Sequence, residues 1–158
     1  MIGSNMRMLL ISLFALLPGL AQAAEGTAGT AAAAAALAAA KTLHCVFRNA
    51  IETSWAADRY DTRPQGGFSF TIDAINTARG NAKAVSPQSA THLEMIALPN
   101  VRHFLGFAAG GDLNVTSVHG QYGRGKGEFL ASHSVHMASE PPRTFQHYGA
   151  CQPAKDKK

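Results

Sequence analysis

The stretch Phe129-Leu130-Ala131-Ser132-His133-Ser134-Val135-His136-Met137 decides the fold. Phe129, Ala131, His133, Val135 and Met137 alternate with Leu130, Ser132, Ser134 and His136, a period of two and not 3.6. A half-buried β-strand has this period, because successive side chains leave opposite faces of the pleat. By parity, His133 shares the face of Phe129 and should point inward. The same alternation recurs in Phe68, Phe70 and Ile72 against Ser69, Thr71 and Asp73, and in Leu113, Val115 and Ser117 against Asn114, Thr116 and Val118.

Turn residues punctuate these runs: Arg63-Pro-Gln-Gly-Gly67, Arg79-Gly80-Asn81, Ser86-Pro87, Pro99-Asn100, Gly110-Gly111-Asp112, Gly120 to Gly127 and Glu140-Pro-Pro142. About eight strands result, near 43–56, 67–75, 81–86, 91–97, 101–108, 112–119, 127–138 and 143–151. Short connections favour antiparallel neighbours. Ala109-Gly110-Gly111-Asp112 is the strongest hairpin signal, since glycine supplies the positive φ of a tight turn. The fold class is therefore all-β. A small antiparallel meander barrel is the preferred architecture and a two-sheet sandwich the alternative.

Two cysteines favour the barrel. Cys45 and Cys151 are the only ones in the chain and fall in the first and last strands. In an oxidising compartment they should form a disulfide, which needs Cα atoms within about 7 Å. The terminal strands must then be neighbours, as barrel closure makes them. The chain holds no C-x-x-C spacing, so structure is preferred over thiol chemistry.

The N-terminus sets the compartment. Arg7 precedes the apolar run Met8 to Leu17, followed by Pro18-Gly19 and Ala21-Gln-Ala23. This is the plan of a secretory signal peptide, residues 1–23, whose apolar run of ten residues is too short for a membrane span of about 20 residues. Residues 24–41, AEGTAGTAAAAAALAAAK, have only Leu37 to bury; they read as an alanine-rich spacer, at most transiently helical. The folded domain is then 42–153, with a charged tail at 154–158. The expected product is exported, periplasmic or secreted, monomeric and without a membrane span after cleavage.

Composition removes several functions. The 158 residues carry 14 Lys plus Arg against 10 Asp plus Glu, a formal charge of +4. Spread over this length, that surplus predicts no nucleic-acid partner. Gly120-Gln-Tyr-Gly-Arg-Gly-Lys-Gly127 approaches a phosphate-binding loop but puts glycine where the Mg²⁺-binding hydroxyl belongs, and a strand follows rather than a helix. It reads as a hairpin tip exposing Arg124 and Lys126, a candidate surface contact. Seven histidines raise a metal reading, with His133, His119 and His103 the candidate ligands. The competing reading of His133 is a buried, hydrogen-bonded imidazole. No catalytic serine elbow or carboxylate pair is legible. Trp55 and Tyr60 are expected to cap the core or to flank a barrel mouth.

Leu43-His-Cys-Val-Phe47, Thr116-Ser-Val118, Ala131-Ser-His-Ser-Val-His136 and Phe145-Gln-His-Tyr-Gly-Ala-Cys151 together resemble small exported proteobacterial proteins of unknown function. The resemblance implies a compact β domain of the cell envelope and brings no activity, cofactor or catalytic residue with it. The leading functional expectation is a non-enzymatic binding module for a small ligand or an envelope protein, with no cofactor. The alternatives are a histidine-based metal protein or hydrolytic enzyme, and an inhibitor of an extracytoplasmic hydrolase. If Phe68, Phe70, Ile72, Phe129 and Val135 fill the barrel, only surface binding remains.

Overall fold

The computed structural model describes residues 20–87, 89–123 and 127–154. One helix, α1 (Leu20–Ala39), precedes nine strands: β1 (Leu43–Ala56), β2 (Arg59–Gln65), β3 (Phe68–Asn76), β4 (Asn81–Ser86), β5 (Ser89–Leu98), β6 (Val101–Phe107), β7 (Leu113–Tyr122), β8 (Phe129–His136) and β9 (Arg143–Pro153). The sheet order is β2-β1-β3-β4-β5-β6-β7-β8-β9, closed by β1 pairing with β9. The fold is thus an eight-strand antiparallel barrel with β2 as an added strand, not a sandwich.

β1 explains how one strand serves three partners. Its first half, Leu43 to Phe47, pairs with β3; its second half, Ala50 to Ala56, pairs with β2; its other edge follows β9 from Leu43 to Ser54. The switch occurs where the β1–β9 register shifts between Phe47 and Asn49. A β-bulge there bends the strand. Glycines flank the bend on both sides: a Cβ on Gly67 would lie 2.1 Å from the Phe47 carbonyl oxygen, and one on Gly149 would lie 2.0 Å from that of Val46.

β2 corrects the expected turn at Arg63–Gly67 and is absent from the expected set of strands. It lies outside the barrel wall, so it needs no apolar face, and its Pro64 is tolerated at a sheet edge. Ala57 and Asp58 make the β1–β2 turn, both with positive φ. Beside it Trp55 and Tyr60 are register partners, their rings 4.9 Å apart and edge-to-face. Both side chains are exposed, so this pair braces the hairpin and does not cap the core.

Cys45 and Cys151 stand opposite each other in the β1–β9 register and are joined by a disulfide, with Cα atoms 4.0 Å apart. Around the bridge, Leu43, Phe47, Ile72, Phe104, Val118 and Phe129 are fully buried. This packed half is the end of the barrel where β1 begins.

The same end is covered by α1, which corrects the reading of 24–41 as a spacer. Ala33 and Leu37 are buried in the same core cluster, and the helix packs against β7. Alanine makes this possible: without bulky side chains the helix backbone approaches so closely that a Cβ on Gly120 would lie 2.9 Å from the Ala34 Cα. Arg102 fastens the helix end. The residue is 3% exposed, and its guanidinium donates to the carbonyls of Ala38 (2.6 Å) and Ala40 (3.2 Å) and to Thr77 Oγ1 (3.0 Å). A cation on the terminal carbonyls also opposes the negative end of the helix dipole. Burial lowers the Arg102 pKa from its ordinary value, yet a guanidinium in this setting stays charged. Among the described residues no helix is long and apolar enough to cross a membrane.

Candidate functional site

The opposite end of the barrel is not packed. Ile72 and Phe129 fill the covered half as expected, but Phe70 is half-buried and Phe68 is 37% exposed. A cavity of about 180 Å³ opens between them and the facing strands. Phe68, Phe70, Leu93, Thr91, Thr116 and His133 form much of its wall, with Asn114 and the Ser86 and Ser89 hydroxyls also lining it. Among the described residues, none of the lining is Asp, Glu, Lys or Arg. The sequence parity places these side chains together. Phe68, Phe70 and Ile72 share one face of β3, while Thr116 and His133 are register partners on β7 and β8.

An aromatic stack forms the floor. The Phe47 and Phe68 rings are 5.2 Å apart and 20° from parallel; Phe68 and Phe70 are 5.7 Å apart and 7° from parallel. Two imidazoles stand edge-on to it. His133 lies 5.2 Å from Phe68 and 5.6 Å from Phe70, and His147 lies 4.7 Å from Phe68. His133 and His147 are themselves register partners on β8 and β9, with rings 5.7 Å apart.

The two imidazoles are held differently. His133 Nδ1 shares a 2.8 Å hydrogen bond with Thr116 Oγ1. This is the buried, hydrogen-bonded imidazole weighed from the sequence. Burial, and secondarily the neighbouring His147, pushes its pKa down to about 4. His147 is also lowered by burial, and among the described residues its buried Nδ1 has no hydrogen-bond partner. At neutral pH both rings are uncharged, so His133 joins the Ser, Thr and Asn side chains of the wall as a neutral polar group, with His147 beside it.

The three proposed metal ligands do not converge. His133 points into the barrel, where its strand partner is Thr116. His103 and His119 alternate with the buried Arg102, Phe104, Val118 and Gly120, so both face outward. His103 Nδ1 is engaged with Ser117 Oγ at 2.8 Å on that outer wall. Among the described residues no three His, Cys, Asp or Glu side chains could hold an ion together. Arg124 and Lys126, the proposed surface contact, lie outside the described residues.

Sequence reasoning missed His147. The signal was available: counting back by two from Cys151 gives Gly149, His147 and Phe145 on the inward face, and β9 pairs with β8 without a register break. Beyond His147, the rim carries Arg143, which donates to Glu52 from Nε at 2.9 Å and also from Nη2, with its guanidinium 5.6 Å from the Phe145 ring. Gln65 Nε2 donates to the second Glu52 oxygen. This cluster ties β2, β1 and β9 together at the mouth. A larger hollow, about 390 Å³, lies on the outer wall of β1 and β9 beside Tyr148, among Arg48, Glu128 and Gln152. Its side chains are those of a solvated sheet face.

No family of known proteins, no curated protein and no solved structure matches the chain.

Proposed function

We propose that the protein is an exported, non-enzymatic binding module that takes a small apolar ligand at the open end of its barrel. The observation that carries this reading is the aromatic cavity between Phe68, Phe70 and Leu93 at the end opposite α1. Packed interiors rarely leave such voids, and apolar, concave sites with a few convergent polar groups are the usual form of ligand pockets. Export is supported by the leader-like residues 1–23 and by the Cys45–Cys151 bridge, which suits an oxidising compartment.

The test is a ligand-dependent stability measurement. A benzene-sized hydrocarbon such as toluene should raise the thermal midpoint of the protein. Saturation at a hundred times Kd corresponds to about 2.7 kcal/mol. Ala84, on the cavity wall, offers the control: Ala84→Phe fills the space and should abolish the ligand-dependent rise while the protein stays folded by far-UV circular dichroism. An equal rise in both proteins would place binding elsewhere.

A further inference from the structure

We infer that the buried end of the ligand is a single neutral aromatic ring bearing a hydroxyl group, a phenol in chemical class, stacked against Phe68 and Phe70 with its oxygen on His133 Nε2. The inference rests on the cavity reading above and specifies its occupant.

Size comes first. A dry apolar cavity of about 150 Å³ admits benzene. The 180 Å³ here accepts one six-membered ring with a small substituent, and two fused rings would have to protrude through the mouth. Shape comes second. Phe68 and Phe70 are within 7° of parallel, so the wall presents flat faces that a planar ring continues by offset stacking.

Charge comes third. Among the described residues the cavity lining contains no Asp, Glu, Lys or Arg. The ion pair of the rim, Arg143 with Glu52, is already self-compensated. A charged group entering this space would lose its hydration without a counter-charge, which selects a neutral ligand.

Polarity comes last. His133 lines the cavity, and Thr116 occupies its Nδ1. Among the described residues no hydrogen bond engages its Nε2, and that atom is not one of the buried, unpartnered ones. Nε2 is thus the nitrogen that meets the cavity. The tautomer depends on which way the Thr116 hydroxyl proton points. A ligand hydroxyl both donates and accepts, so it satisfies Nε2 in either tautomer, whereas a carbonyl or ether satisfies only one.

Phenol and toluene differ at this one group and provide the test. Their dissociation constants would be measured by calorimetry on the whole protein and on His133→Leu. One net hydrogen bond corresponds to roughly a five-fold preference. The phenol-to-toluene affinity ratio should therefore be about five-fold higher in the unsubstituted protein than in the variant. A second readout needs no variant: phenol should shift the ¹⁵N resonance of His133 Nε2, and toluene should leave it in place. If both compounds bind with the same ratio in both proteins, or neither moves the resonance, the hydroxyl assignment is overturned and the cavity reading stands. If neither compound binds, the cavity reading itself falls.

Discussion

The imidazole at the barrel mouth makes stability depend on pH in a calculable way. His133 has a folded pKa of about 4 against an ordinary 6.5, with burial as the main cause. Between these values the unfolded chain binds a proton that the folded chain refuses, so stability falls as pH falls through this window. It is fully present above about 6.5 and lost by about 4, below which both states are protonated. The full displacement corresponds to roughly 3 kcal/mol, and about 2 kcal/mol of it should be gone by pH 5. His147, also lowered by burial, acts in the same direction. Asp73 is held below its ordinary pKa, chiefly by the hydrogen bond from Thr42, so its effect falls at lower pH. The interval from pH 7 to 5 therefore isolates the histidines.

The assay is urea unfolding at pH 7, 6 and 5, followed by circular dichroism, on the protein and on His133→Gln. Glutamine keeps a partner for Thr116 but does not titrate in this range. The variant should start less stable at pH 7 and lose about 2 kcal/mol less on going to pH 5. Parallel pH slopes in the two proteins would refute the argument, as would an NMR titration placing the His133 pKa at or above 6.

Two further predictions concern the packed end. Arg102→Met should lower stability by about 2–4 kcal/mol, since the carbonyls of Ala38 and Ala40 and the Thr77 hydroxyl lose a charged donor; an elastase-type protease should then cut within residues 24–40 faster than in the unsubstituted protein. The Cys45→Ser/Cys151→Ser double variant should keep its β circular dichroism yet lose roughly 4–5 kcal/mol by denaturant titration, because the bridge spans 106 residues.

Much of the barrel was legible because its determinants are local or covalent. Alternation at Phe68, Phe70 and Ile72 and from Phe129 to Val135 fixes which face is inside, and Gly111, with φ of 92°, marks the β6–β7 hairpin. Cysteines in the first and last strands impose closure. β2 escaped notice because a strand outside the wall has no apolar face: Arg59, Asp61, Arg63 and Gln65 share one side, and Ala57-Asp58 is an unadvertised turn. The helix escaped for a different reason. A reading that weighs bulk sees only Leu37, whereas the contact depends on smallness matched between Ala34 and Gly120, residues far apart in sequence. The candidate site was half legible: parity put His133 inside, but the cavity depends on how far Phe68 and Phe70 fill the mouth.

The distribution of stabilising contacts bears on where a ligand can act. The disulfide, the fully buried side chains and the Arg102 anchor of α1 all belong to the end where β1 begins. The far end is held by the Glu52–Arg143–Gln65 cluster and by Phe68 and Phe70, and among the described residues it leaves His147 Nδ1 without a partner. A buried polar atom left unpaired costs roughly 1–3 kcal/mol, a cost the mouth bears and the packed end avoids. A fold that secures one end this heavily can keep a cavity and an unpaired imidazole at the other without losing its architecture. Ligand occupancy should therefore change local protection at the mouth more than at the core, and amide exchange would show it: slowing at Phe68 to Phe70 and His133, with little change at Phe104 and Val118.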